Sequence, residues 1–279
     1  MSVLDRLKTG AVLTKDSLLV IRHNPKLTLF PLVSGLTGFA FLAVFLGVTF
    51  GLMAITPEGG ALVGLFLVYL VLTFVSSFFT AGLVHQTREA LAGNEPDLRA
   101  GLEAAWAVKQ PLLIWAFISA TVGIIINGIE NSDSRIARIF GTIFGLAWTL
   151  MTFFIIPVIV FEHASVREMF EGSAGTFKET WGETPISLIG IQLVSTVIVL
   201  PFALLGLLMF SSGLALAGIA LVLAGVFLSY LIAQTLQGVV KTTLYLYAKE
   251  GVKPDEFDDL ASETQRQSTT PAATTGGFR

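Results

Sequence analysis

Four side chains stand out as able to carry charge or pass a proton in a largely apolar sequence: His85, Glu162, His163 and Lys241. Each falls where a long apolar run gives way to polar sequence. Glu162 closes a run that begins at Ile136, and Lys241 lies 28 residues beyond Gly213, about 42 Å along a helix at 1.5 Å per residue. A carboxylate, an ammonium and two imidazoles can form charge-assisted pairs. The expectation is therefore one polar cluster at the mouth of three helices, with Glu162 paired to Lys241 or to a protonated histidine. Such a cluster would serve as a tie between helices, or as a gate or headgroup-binding pocket.

Other chemistry finds little support. There is no cysteine, which removes disulfides, thiol catalysis and cysteine metal sites. His23, His85 and His163 fall near one boundary, but no H-x-x-x-H or H-E-x-x-H spacing accompanies them, so no metal site is expected. No G-x-S-x-G, P-loop or G-x-G-x-x-G pattern is present, and neither a catalytic residue nor a cofactor is assigned. A net charge of −3 with a pI near 5.6 gives no reason to expect nucleic acid, whose binding rests on dense Lys and Arg. The expectation is a protein that is not an enzyme.

The elements that must position those four residues are apolar and long. Of 279 residues, 53% are hydrophobic and 13% charged, with a mean hydropathy of +0.77, more apolar surface than a soluble core of this size can hide. The reading is an all-α polytopic membrane protein with six transmembrane helices, at about 27–55, 61–84, 111–129, 136–161, 185–210 and 213–240. The membrane domain covers 1–250, and the polar residues of 251–279 read as a disordered cytoplasmic tail. No cleaved signal peptide is evident in MSVLDRLKTG.

Between spans, three amphipathic helices are expected along the cytoplasmic interface. Residues 2–22 can be capped by Ser2 and Asp5, with Val3, Leu4, Leu7, Ala11, Leu18 and Ile21 on one face, and Asn24-Pro25 ends that helix. Asp97 caps a second helix, whose face holds Leu98, Gly101, Leu102 and Ala105. Ser165 and Glu168 form a capping box for the third, in which Val166, Met169, Phe170, Ser173, Phe177 and Trp181 make a stripe suited to the headgroup layer. The order amphipathic helix, proline, span, turn, span then occurs three times, with Pro25, Pro111 and Pro185 at the equivalent step, an internal threefold repeat. Of the 17 Lys and Arg residues, 15 fall on the side of the termini and only Arg135 and Arg138 on the other, which places both termini in the cytoplasm of a cell-membrane protein.

Inside the spans, ionisable residues are absent at mid-depth, which argues against a proton- or sodium-coupled transporter. Ser76, Ser77, Thr80, Asn127, Gln192, Ser195, Thr196, Ser229, Gln234 and Gln237 are expected chiefly to bond neighbouring helices. Gly47-x-x-x-Gly51 and Gly141-x-x-x-Gly145 would permit close helix approach, and Pro157 and Pro201 should kink their spans.

Several short motifs carry a resemblance: Asn24-Pro25 with Leu29-Phe30-Pro31-Leu32, Gly93-x-Glu95-Pro96, Ile156-Pro157-Val158-x-Val160-Phe161-Glu162, and Thr180-Trp181-Gly182-Glu183. Together they resemble an uncharacterised family of six-span membrane proteins of archaea and bacteria, over roughly residues 1–255. More distantly the layout is similar to the membrane domain of some glycerophosphodiester phosphodiesterases, without their catalytic domain. The resemblance implies a six-span fold and no catalytic residues. The expected function is a non-enzymatic membrane scaffold or accessory subunit that contacts lipid headgroups and a protein partner or a second copy. The alternative is a transporter or lipid-translocating channel for an uncharged or amphipathic solute.

Overall fold

The structure of the chain, a computed structural model, describes residues 14–251. The expected cap at Ser2 and Asp5, the face from Val3 to Ala11 and the tail beyond residue 251 lie outside the described residues. Residues 14–23 are helical (α1). Asn24 is non-helical, as a residue before proline should be, and a 3-10 turn over Pro25–Thr28 leads into α2 (Leu29–Ile55). Then come α3 (Pro57–Leu91), α4 (Leu98–Ala107), α5 (Lys109–Glu130), α6 (Arg135–Met151), α7 (Ile155–Glu162), α8 (Val166–Glu179), α9 (Glu183–Ser211) and α10 (Ala215–Glu250). Six helical stretches are long and apolar enough to cross a membrane, with α6 and α7 together making the fourth. They pack chiefly through α2 with α3 and α9 with α10, while α5 packs on α3 as well as on α6.

Local chemistry sets the boundaries. Asp97 accepts from the amides of Arg99 and Ala100, satisfying free donors at the start of α4. The Glu168 carboxylate accepts from the Ser165 amide at 2.9 Å and closes the first turn of α8. Bonds from the Ser165 hydroxyl and amide hold Glu168 below its usual carboxylate range, so its contribution is present at neutral pH and is lost as pH falls through that lowered value. Four helices end on left-handed residues: Gly93 after α3, His163 after α7, Gly213 after α9 and Gly251 after α10.

The core occupies one end of the bundle. Leu27, Phe30, Leu83, Val84, Leu112, Met169, Val240 and Leu244 are fully buried or nearly so, together with Ile155 to Val160 of α7. Away from that end, Leu36, Phe39, Phe50, Phe140, Leu193 and Leu216 are exposed, a pattern that suits hydrocarbon and not water. The amphipathic stripe expected on α8 meets protein as well as surface. Met169, Ser173 and Phe177 are buried and Phe170 packs on Trp115 and Trp148, while Val166 and Trp181 stay exposed.

The fourth span is not one kinked helix. It breaks at residues 152–154, because Pro157 has no amide to give the Phe153 carbonyl and its ring crowds that carbonyl. Ile155 turns its amide to the Thr152 carbonyl, which strands the carbonyl of Met151 and the amide of Phe154. Ser173 of α8 meets both: its hydroxyl donates to the Met151 carbonyl at 2.6 Å and accepts from the Phe154 amide at 3.1 Å. Non-helical backbone within a membrane-spanning segment survives where protein covers it, and here one side chain does so.

Close helix approach is found at one of the two expected glycine pairs, and at other glycines as well. Gly47 and Gly51 face open space, whereas Gly141 lies against Ile129 and Glu130 of α5. A further close crossing joins α9 to α10, where a Cβ on Gly206 would meet the Gly218 carbonyl oxygen at 2.8 Å.

Candidate functional site

The ends of α3, α7 and α10 do converge, but through different residues from those expected. Glu162 accepts from the Tyr245 hydroxyl at 2.7 Å and pairs with Lys249 at 3.1 Å, not with Lys241 or a histidine. Arg88 pairs with Glu250 at 2.9 Å and stacks over the Phe161 ring, which in turn packs on Tyr245. The reason is position along the helix axis. On α10, Tyr245 and Lys249 lie one turn apart on the face that meets α7, and Lys241, one turn earlier, sits too deep to reach Glu162. This layer ties three helices together, and its ion pairs are partly exposed, so each contributes little alone.

The histidines stand apart from that layer. His163 is exposed in the left-handed cap of α7 with φ 49° and ψ 37°, a conformation that costs a non-glycine residue about 1–2 kcal/mol. His85 Nδ1 lies 3.3 Å from the Gln86 amide nitrogen, and Gln86 accepts from the Asp97 amide where α3 joins α4. No hydrogen bond or ion pair links any two of His85, Glu162, His163 and Lys241.

Lys241 belongs instead to a cavity of about 680 Å³ bounded by α3, α5, α6, α7, α9 and α10. Its Nζ sits 4.7 Å from the ring centre of Phe153, a buried residue at the break in the fourth span. Ser76, Ser77 and Thr80 of α3 and Gln234 and Gln237 of α10 line the same space, and none of these side chains has a hydrogen-bond partner within the described residues. Trp115 and Trp148, stacked with centroids 5.9 Å apart, form an apolar wall. A space of this size that mixes aromatic walls with a few polar groups has the character of a ligand site.

Of the expected mid-span polar residues, Asn127, Gln192 and Thr196 are exposed on the surface of the bundle, and the rest divide in two. Ser195 and Ser229 bond each other across α9 and α10 at 2.6 Å, as neighbouring helices should. Ser76, Ser77, Thr80, Gln234 and Gln237 face the cavity. The sequence carried a signal for this second set, since Gln234, Gln237 and Lys241 stand at i, i+3 and i+7, one face of one helix. Ser173 and Phe153 were also missed as functional positions. A serine set among Met169, Phe170 and Phe177 and a proline four residues after Phe153 were the available clues. Among the described residues, no group of three or more His, Asp or Glu side chains is arranged to hold a metal ion.

Neither a curated protein nor a solved structure matches this chain. A family model does match, over residues 60–254, from the start of the second span to just past the end of α10. The likeness to a phosphodiesterase membrane domain draws no support from these comparisons. With most of its length matched, α3 to α10 and every wall of the cavity included, the chain belongs to the family of unknown function DUF6159.

Proposed function

We propose that the protein is a non-enzymatic integral membrane protein, a scaffold or accessory subunit that contacts lipid headgroups and admits an amphipathic molecule of the bilayer into its cavity. The observation that carries the reading is the cavity itself, in which hydroxyl, amide and ammonium groups without protein partners face aromatic walls. An amphiphile matches both surfaces at once, where a sugar or an alkane matches only one. The short helices α4 and α8, with exposed pairs Arg99–Glu103 and Arg167–Glu171, give a charged collar suited to headgroups and to a soluble partner protein or a second copy.

The test uses full-length protein purified in a mild detergent, with lipid bound per chain measured by mass spectrometry. Ser119→Phe fills the cavity from α5 and should lower the retained lipid while leaving the thermal midpoint unchanged. Equal retention by the variant and the parent would sink the reading.

The orientation belongs to the same proposal, with both termini, α4 and α8 in the cytoplasm of a cell-membrane protein. It rests on the 15-to-2 partition of Lys and Arg. Because the chain lacks cysteine, Ser2→Cys, Glu58→Cys, Ser132→Cys and Ser268→Cys report without background. An impermeant thiol reagent added to intact cells should label positions 58 and 132 only. Labelling at 2 or 268 would reverse the assignment. The threefold plan is supported by the sequence of short helix and hairpin met three times.

A second reading, translocation of an amphipathic solute, is favoured by the interrupted fourth span, since broken helices beside a cavity recur in transport proteins. In proteoliposomes carrying a fluorescent lipid, dithionite should bleach the inner leaflet only if the protein moves lipid across the bilayer. Bleaching confined to the outer leaflet leaves the scaffold reading standing and removes this one.

A further inference from the structure

We infer that the Lys241 end of the cavity binds the anionic group, phosphate or carboxylate, of an acidic amphiphile. The inference rests on the lipid-contacting role proposed above and names the ligand chemistry of that site.

The first observation is an unmatched cation. Arg88 and Lys249, in the layer that ties α3, α7 and α10, each have a carboxylate within 3.1 Å. Lys241 has none, and no Asp or Glu lines the cavity. Its one close partner is the face of Phe153, which offsets only part of the cost of withdrawing an ammonium from water. Depth sharpens the contrast. Lys241 stands eight residues before Lys249 on α10, and Thr80 stands eight before Arg88 on α3, so the cationic end lies roughly 12 Å deeper than the ion pairs and about one turn deeper than Tyr245. An unpaired cation at such a place is retained for a counter-charge that the protein does not itself supply.

The second observation is the geometry around it. Gln237 and Gln234 stand one and two turns from Lys241 on the same face of α10, and Ser76, Ser77 and Thr80 line the facing α3. An ammonium with amide and hydroxyl donors beside it suits an oxyanion that carries further polar groups. At about 680 Å³, the space also exceeds what a bare phosphate fills, and the walls of Trp115, Trp148 and Leu72 give an acyl chain a dry surface. The buried side chains of Leu83, Val84 and Leu244, up to one turn further along α3 and α10, stand between this end and the charged layer. Entry from the bilayer is thereby favoured over entry from water.

Trp115 and Trp148 in the cavity wall supply the readout. Trp106→Phe and Trp181→Phe remove the other two tryptophans, both exposed, leaving fluorescence that reports on the cavity. This full-length protein, reconstituted in phosphatidylcholine nanodiscs, is titrated with brominated phosphatidylglycerol or brominated phosphatidylcholine. The anionic lipid should quench at about tenfold lower mole fraction, the scale of one hydrogen-bonded charge. Lys241→Met should abolish that preference without lowering the thermal midpoint, because no protein partner is left behind, and Lys241→Arg should keep it. Glu162→Gln should do the reverse, lowering the midpoint through the lost tie while sparing the preference.

A parallel arm adds inorganic phosphate. A rise in thermal midpoint with phosphate that Lys241→Met lacks, with no lipid preference, keeps the anion site and makes its source soluble. Equal quenching by both lipids with no phosphate effect overturns the inference but leaves the lipid-contacting role intact. No quenching by either lipid removes the role and the inference together. A preference that survives in Lys241→Met overturns the assignment to this residue.

Discussion

Ser173→Ala should lower stability by about 2–4 kcal/mol, far more than a serine-to-alanine change at most helical sites, because two backbone groups lose their partner at once. The Met151 carbonyl and the Phe154 amide are stranded by the break in the fourth span, and the Ser173 hydroxyl is the group that meets both. The Phe154 amide cannot turn to water, since Phe154 and the α8 face above it are buried. Loss of thermal midpoint in detergent measures the effect. Ser195→Ala is the internal control. Its hydroxyl bonds only another hydroxyl across α9 and α10, and interhelical bonds of that kind contribute about 0.6 kcal/mol.

The cause of the break gives a second arm to the test. Pro157 withholds the amide that would continue the helix through Phe153, so Pro157→Ala restores a donor where the ladder is interrupted. If α6 and α7 can then join, the orphaned groups pair along the helix and Ser173 loses its task. The cost of Ser173→Ala should accordingly shrink in the Pro157→Ala background, a coupling that a double-mutant cycle isolates. Strict additivity would show that the break is imposed by packing of α7 and not by the proline. The break also turns Phe153 toward Lys241, so joining the helices should weaken the lipid preference proposed for the cavity.

What the sequence made legible was governed by local rules. Six apolar stretches, the break at Asn24-Pro25, the cap at Asp97 and the Glu168–Ser165 bond all follow from propensity and capping, which act within a few residues. The convergence of α3, α7 and α10 was also legible, from polar residues at corresponding span ends. Which residues met there was not. Lys241, Tyr245 and Lys249 lie one turn apart on one helical face, so the choice among them depends on axial position relative to α7, which no local pattern encodes. Lys241 and Glu162 both stand near the end of a span, and one turn of offset separates a tie from a cavity.

The cavity was hidden for a related reason. Serines and glutamines inside spans look alike whether they bond a neighbouring helix, as Ser195 and Ser229 do, or face a space, as Ser76 and Gln237 do. Only the packing of helices distant in sequence separates the two. The broken fourth span contributes to that space by placing Thr152 and Phe153 on its wall. Structure and candidate function thus meet at one proline: Pro157 opens the helix, Ser173 makes the opening tolerable, and Phe153 brings an aromatic face to the unpaired cation.

Phe30→Ala should cost about 3–5 kcal/mol, the range for removing a fully buried aromatic side chain. Phe30 opens the first span, and its ring lies in a slot between α3 and α4 that exists because two glycines face it. A Cβ on Gly82 would stand 2.8 Å from the ring and one on Gly101 would stand 2.5 Å from its tip. Gly101→Ala should therefore destabilise by about 1–3 kcal/mol through overpacking, even though alanine is the better helix former by about 1 kcal/mol. The two effects have one origin, and that permits a sharper test. Phe30→Leu shortens the side chain, so Gly101→Ala introduced into that background should cost little or turn favourable, with α4 docked as before. Thermal midpoints of the two single variants and the double variant, in one detergent, give the coupling directly. If Gly101→Ala proves equally harmful with Leu and with Phe at position 30, the close contact of α4 is with Gln86, whose Cγ lies 2.9 Å from the same Cβ position, and not with the ring.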